Sequence, residues 1–138
     1  MQKLPLVKHT SLDDTIAWRK NAAITVGQFL ADVAALAKTF PAGRHVLNVC
    51  RDRYHFAVGF AAALISNKVS LLPPTHTVEM VQQLQAFAAD VFCLHDNQDC
   101  DIALPKLRYP LSPALQTAPE EILLIAIQQV AAIVFTSG

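Results

Sequence analysis

Between Val26 and Phe40 apolar side chains recur at Val26, Phe29, Leu30, Val33, Ala34, Ala37 and Phe40. This three-and-four spacing lines one face of a helix. Thr25 and Gln28 stand at its entry as a T-x-x-Q capping box, in which each side chain can satisfy the other's orphan backbone donor, and Pro41-Ala42-Gly43 ends it. After that glycine turn, His45 to Cys50 is a short apolar run suited to a buried strand, and Asp52 is placed to cap a second helix running through Phe56, Gly59, Phe60, Ala63 and Leu64. Val69 to Leu72 reads as the next strand, stopped by Pro73-Pro74. Thr77 and Glu79 then open a third helix reaching about Ala89, and Val91 to Leu94 supplies another strand. Strands alternating with helices of about 12 to 15 residues imply crossover connections. The expected fold is α/β and doubly wound: a mostly parallel sheet flanked by helices on both faces.

From Asp96 to Pro119 the periodicity fades into an acidic polar loop followed by Pro105, Pro110, Pro113 and Pro119, so residues 96–119 read as an irregular connection. Glu120 and Glu121 lead into Ile122 to Phe135, expected as one short helix or strand and then a buried strand, Ala131 to Phe135. No internal repeat or low-complexity tract interrupts the pattern.

Composition sharpens this picture. The 138 residues are 53% hydrophobic and 16% charged, against roughly 25% charged in an ordinary soluble domain. One compact domain of this length buries well over half of its unfolded surface. The apolar excess suits a buried parallel sheet, or a piece of a larger body whose apolar faces belong against something else. A membrane span is not expected: Phe56 to Ile65 ends at Ser66-Asn67-Lys68, Ile122 to Phe135 carries Gln128 and Gln129, and neither reaches the roughly 20 residues a bilayer needs. The N-terminus lacks the apolar core of a secretory signal before Asp13 and Asp14, so the chain reads as cytoplasmic. Cys50, Cys93 and Cys100 form neither a disulfide framework nor a C-x-x-C knuckle, and read as free thiols in a reducing compartment. Eleven basic residues balance eleven acidic ones without any long Lys or Arg run, which argues against nucleic acid as a partner.

The most informative chemistry lies at the end, where Ala131-Ala132-Ile133-Val134-Phe135 runs directly into Thr136-Ser137-Gly138. A hydroxyl-and-glycine loop after a buried strand presents backbone N–H groups and hydroxyls to phosphate oxygens, with glycine permitting close approach. Alone, those three residues fit an ordinary strand-ending turn equally. Their context is more specific. A capped helix (Ile24-Thr25-Val26-Gly27-Gln28-Phe29-Leu30) precedes a strand after a Gly turn (Gly43 to Leu47), then a small-residue helix (Phe56 to Ile65), a strand ending at proline (Val69 to Pro73), a helix with its strand (Val78 to Leu94), and an aromatic residue before Thr-Ser-Gly. In this order and spacing the chain resembles the adenylate-forming (AMP-binding) superfamily of acyl-CoA synthetases, aryl-CoA ligases and related adenylation domains. Two positions depart from that pattern: Gly43-Arg44 where a Gly-Asp pair commonly stands, and Asn67-Lys68 in place of a small-residue turn.

The resemblance implies that residues 1–138 are the N-terminal part of an AMP-binding domain, cut off inside its phosphate loop. Thr136, Ser137 and Gly138 would bind ATP phosphates, with no catalytic residue assigned within the chain. It further implies ATP and Mg as cosubstrate and cofactor of the full-length enzyme, a carboxylic acid substrate, and coenzyme A or a carrier-protein thiol as acceptor. The fragment alone is expected to be inactive, and to self-associate through its exposed C-terminal strand. The alternative is a self-contained α/β binding or interaction module without catalysis.

Other constellations are weaker. Asp96, Asp99 and Asp101 lack the Gly and terminal Glu of a calcium loop and read as a solvated loop. Cys93 and His95 would share one side of a strand, yet zinc needs about four convergent ligands, and nothing in the sequence recruits His76 or Cys100. Ser137 is not a hydrolase nucleophile, because Phe135 occupies the first glycine position of G-x-S-x-G. Arg51-Asp52-Arg53 reads as a helix-capping Asp between solvated arginines rather than a substrate clamp. His9, His45 and His55 have no acid or nucleophile nearby in sequence and read as surface or packing histidines.

Overall fold

A computed structural model of the chain describes residues 3–5, 15–19, 22–110, 124–126 and 132–135. Its centre is a five-stranded, wholly parallel sheet of β4 (His45–Asn48), β5 (Val69–Leu72), β6 (Phe92–His95), β7 (Lys106–Arg108) and β9 (Ala132–Val134), in the order β7-β6-β4-β5-β9. Outside it, β1 (Lys3–Pro5) pairs antiparallel with β8 (Leu124–Ala126), and β2 (Thr15–Arg19) pairs antiparallel with β3 (Ala22–Thr25). The helices are α1 (Val26–Thr39), α2 (Arg53–Ile65) and α3 (Val78–Phe87). None of them is long and apolar enough to cross a membrane.

Each helix begins where a side chain accepts its first free N–H groups. Thr25 Oγ1 accepts from Gln28 N at 3.1 Å, Asp52 from Tyr54 N and His55 N, and Thr77 Oγ1 from Met80 N at 3.2 Å. The ends are equally local. After α2, Lys68 N reaches Ala63 O and Asn67 N reaches Leu64 O, a Schellman pair with Asn67 in the left-handed region at φ 55. Lys68, almost wholly buried, then donates from Nζ to Pro41 O at 2.9 Å and Gly43 O at 2.6 Å, pinning the loop after α1 to the start of β5. Burial lowers the Lys68 pKa, and the nearby Asp90 carboxylate opposes that shift.

Alternation along the strands divides the core between two faces. Val46, Phe92 and Leu94 point toward α1 and α2, packing with Leu30, Val33, Val58 and Ala62. Leu47, Leu71, Val91 and Cys93 point toward α3, packing with Val81 and Leu84. On the first face Tyr54 Oη donates to Asp32 at 2.5 Å, joining α2 to α1.

Where the sequence predicted an irregular connection over 96–119, the chain forms β7 within it. Lys106 and Arg108 are exposed and Leu107 half-buried, flanked by Pro105 and Pro110. A short, charged strand bounded by prolines is how a sheet blunts its edge, and its pattern resembles a loop. Residues 111–119 lie outside the described residues. The expected buried strand Ala131 to Phe135 is the shorter β9. It is outermost among the described strands, so Ala132, Ile133 and Phe135 are half-buried rather than buried.

Two turns carry a testable cost. A Cβ at Gly43 would overlap the Asp90 carbonyl oxygen, a backbone atom that cannot swing aside. Gly43→Ala should therefore destabilise by about 3 kcal/mol or more. Asn67→Ala, which places an alanine in the left-handed region, should cost about 1 kcal/mol. Denaturant midpoints check both, and a Gly43→Ala midpoint equal to wild type would refute the close approach.

Candidate functional site

In an open parallel sheet, ligands bind beyond the carboxyl ends of the strands, where adjacent strands send their connections to opposite faces. Here those strands are β4 and β5. The chain leaves β4 for α2 on one face, and leaves β5 for α3 on the other. Between their ends opens a crevice of about 400 Å³, walled by Asn48 to Arg51, Phe56, Leu71 to Pro73 and His76. Two further hollows adjoin it. One, of about 220 Å³, is bounded by Arg51, His95, Asn97 and Asp99 to Ile102, and the other, of about 350 Å³, lies between the first turns of α3 and Asp101 to Ala103. The exposed His76 borders all three.

Two side chains shape the crevice floor. Asn48, buried at the end of β4, donates from Nδ2 to Phe56 O at 3.1 Å and accepts at Oδ1 from Cys50 N at 3.1 Å. Gly59 makes room for it, since a Cβ there would lie 2.6 Å from Asn48 Nδ2. Cys50 also lines the crevice, but burial, reinforced by the Asp96 carboxylate, pushes its thiol far above the ordinary range. It is a packing residue rather than a nucleophile.

The loop between β4 and α2 is held by Asp96, which follows β6. Its Oδ1 accepts from Arg51 N at 3.0 Å, and its Oδ2 from Asp52 N at 3.0 Å and from His55 Nδ1 at 2.9 Å. The His55 ring stacks on Tyr109 at 3.9 Å. Burial drives the Asp96 pKa upward, yet the two backbone donors and the His55 ring outweigh it and hold the carboxyl below its ordinary value. At the opposite end of β6, the half-exposed Asp90 accepts from Arg44 N at 2.8 Å and from His45 Nδ1 at 2.7 Å. Those contacts, led by the Arg44 N–H, lower its pKa too.

These contacts revise several expectations. Asp96 is not part of a solvated loop, although Asp99 and Asp101 are exposed. His45 and His55 each have an acid partner, 45 and 41 residues away. Asp52 is the helix cap its position suggested, with Arg51 and Arg53 exposed beside it. Cys93 and His95 do share a strand face, and Cys100 folds back to 4.0 Å from Cys93. Even so, the described residues contain no group of three or more His, Cys, Asp or Glu arranged to hold a metal ion. Thr136, Ser137 and Gly138 lie outside the described residues. Their neighbour Phe135 follows β9, donating from its N–H to Leu72 O at 3.0 Å with its ring edge-on to Phe87. Leu72 is itself a wall of the crevice.

Replacing Asp96 by Asn puts an N–H donor either against Arg51 N or against both Asp52 N and His55 Nδ1. Asp96→Asn should cost about 2 kcal/mol at neutral pH, the scale of hydrogen bonds to a buried charge. Because the folded carboxyl titrates below its unfolded value of 3.8, this stability is fully present above that pH and is lost as pH falls through the lowered folded value. Unfolding titrations should show the wild-type advantage shrinking below about pH 4. An advantage unchanged at acid pH would refute the ionised knot.

No protein-family model and no curated protein matches this sequence. Solved structures do match its fold. O-succinylbenzoate-CoA synthetase from Bacillus subtilis, in complex with AMP, superposes with a TM-score of 0.67 over 99% of this chain and 40% of its own, at 12% identity. The same enzyme carrying its acyl-adenylate intermediate superposes at 0.67 over 100% of this chain and 32% of its own. The nonribosomal peptide synthetase FmoA3, in its AMPPNP-bound form, superposes at 0.62 over 91% of this chain and 15% of its own, at 15% identity. The chain thus spans well under half the length of these proteins. The α/β fold built here, a parallel sheet flanked by helices, is that of the N-terminal part of adenylate-forming enzymes.

Proposed function

We propose that this chain is the N-terminal portion of an ATP-dependent, AMP-forming acyl or aryl acid ligase. The observation that carries the reading is the superposition of 99% of the chain on an enzyme solved with AMP. The Phe135-Thr136-Ser137-Gly138 sequence after an apolar strand supports it. In this reading the parent performs two half-reactions in the cytoplasm. A carboxylic acid and ATP give an acyl-adenylate and pyrophosphate, and a thiol of coenzyme A or of a carrier protein then takes the acyl group as AMP leaves. Thr136, Ser137 and Gly138 contribute hydroxyl and backbone N–H donors to the β and γ phosphates, stabilising charge on the departing pyrophosphate. Magnesium enters with the nucleotide. The remaining contacts to the nucleotide belong to chain beyond Gly138, so residues 1–138 are inactive alone.

Acid-dependent exchange of labelled pyrophosphate into ATP tests both parts. The parent protein should exchange with at least one member of an acyl and aryl acid panel, and Ser137→Ala should slow that exchange about 10-fold or more. The isolated 138 residues should give none. A parent silent with every acid would sink the ligase reading and favour a binding module; exchange by the isolated chain would sink its inactivity.

The same reading bears on assembly. β9 is the outermost described strand of the sheet, with Ile133 and Phe135 half-buried. In the parent, later chain covers this edge. Left open, its unpaired N–H and C=O groups template pairing with a second copy. Burying a few hundred Å² of apolar surface at roughly 25 cal/mol per Å² is worth several kcal/mol before association costs. Sedimentation at micromolar concentration should give a species heavier than the 15.0 kDa monomer. A monodisperse monomer would overturn the proposed pairing.

A further inference from the structure

Cys93 and Cys100 come within 4.0 Å at their sulfurs, close enough for a thiol–thiol hydrogen bond. The proximity is built by the chain between them. Asn97 N donates to His95 Nδ1, Asp99 N to Asn97 Oδ1, and Cys100 N to Asn97 O at 3.3 Å, folding the segment back over β6. Both thiols are free, Cys93 fully buried on the α3 face of the sheet and Cys100 partly exposed beside it. A disulfide needs its sulfurs about 2.05 Å apart, so closure requires a shift of about 2 Å, within reach of a rotamer change at the less buried partner.

We propose that Cys93 and Cys100 are a redox couple, closing to an intramolecular disulfide when the protein meets hydrogen peroxide or a comparable two-electron oxidant. Cys100, the accessible partner, reacts first: its sulfur attacks peroxide, the O–O bond breaks, and a sulfenic acid and one water form. The Cys93 sulfur then attacks the Cys100 sulfur, the S–O bond breaks, and the departing hydroxide leaves with the Cys93 proton as a second water. Two thiols lose two electrons and two protons, and one peroxide becomes two waters. Burial, reinforced by Cys100 itself, pushes the Cys93 thiol up to about 12, which keeps it from reacting with peroxide first, and its part in the second step rests on its 4.0 Å approach to the Cys100 sulfur. The bond would fasten Asn97, Asp99 and Cys100, one wall of the 220 Å³ hollow, to β6. Oxidation thereby acts on the hollow beside the switch-point crevice, and the inference stands apart from the ligase reading.

The full chain, treated with peroxide and blocked with a thiol-alkylating reagent, is digested on the amino side of aspartate, which separates Cys93 from Cys100 at Asp96 and Asp99. The expected result is a Cys93–Cys100 cross-link lighter by two hydrogens than the paired thiols, with Cys50 alkylated and full reversal by dithiothreitol. Cys50→Ser should oxidise as wild type does. Cys100→Ser, at a partly exposed site that should still fold, should retain an alkylatable Cys93 after the same treatment. Cross-links involving Cys50, links only between chains, or a Cys100 carried to sulfinic acid while Cys93 stays reduced would each overturn the proposal. Equal loss of the Cys93 thiol in Cys100→Ser would do the same.

Discussion

Parallel strands cannot be joined by a tight turn, so the pairing of β4 with β6 has to be secured between residues far apart in the chain. Two carboxylates meet that constraint. Asp90 just before β6 and Asp96 just after it each accept a hydrogen bond from a backbone N–H of the segment flanking β4 and another from a histidine Nδ1. The strand between them is clamped at both ends in one register, with Val46 opposite Phe92 and Asn48 opposite Leu94. A slip of one residue would turn Val46 and Leu47 to the wrong faces and break both sets of contacts. The clamps differ in strength for a physical reason: Asp96 is nearly buried and Asp90 is half-exposed, so water competes for the second far more than for the first.

What could be read from the sequence was whatever carries its own local punctuation. The helices α1, α2 and α3 each have a cap residue, Thr25, Asp52 and Thr77, directly before an apolar run, and β4, β5 and β6 are buried runs bounded by turns. The strands β1 and β2 carry no comparable start or stop, and β3 is marked only where it ends on the cap Thr25. β7 hides because an edge strand is built from the charged residues and prolines that otherwise mark a loop. The site was less legible than the fold. The crevice is a property of strand order, which no local pattern states, and the pairing of His55 with Asp96 spans 41 residues. Histidines judged by their neighbours in sequence therefore look unpartnered when they are not. Thr136 to Gly138 rest on sequence pattern alone, since they fall outside the described residues, and superposition at 12 to 15% identity bears on the fold and not on those side chains.

The two departures from the superfamily pattern acquire structural roles. Asn67 takes the left-handed position that closes α2, one of the few residues besides glycine suited to it. Lys68 carries its ammonium back to the carbonyls of Pro41 and Gly43. Arg44, standing where an acid is common, contributes its backbone N–H to Asp90, which any residue but proline could do. Gly43 is the constrained member of that pair, because the Asp90 carbonyl occupies the space of a side chain. At these sites the fold depends on backbone geometry more than on side-chain identity.

Backbone geometry also determines what the carboxyl edge can do. Walls of the adjoining hollows come from residues 48–51, residues 71–76 and residues 95–103, with Phe56 of α2 and the first turns of α3 completing them. Asp96 fastens the first to the third through Arg51 and Asp52, and Pro73-Pro74 stiffens the second. His76, which borders every hollow, follows those prolines, so its backbone starts from a restrained position while its side chain stays exposed. The 220 Å³ hollow, whose walls at Arg51 and at residues 95–102 are tied together through Asp96 before a ligand arrives, loses less conformational freedom on binding than one assembled by the ligand. The Asp96 carboxylate makes that preorganisation possible by fixing the loop after β4 through Arg51, Asp52 and His55, and its charge is felt in the crevice at Cys50, whose thiol it helps to push up.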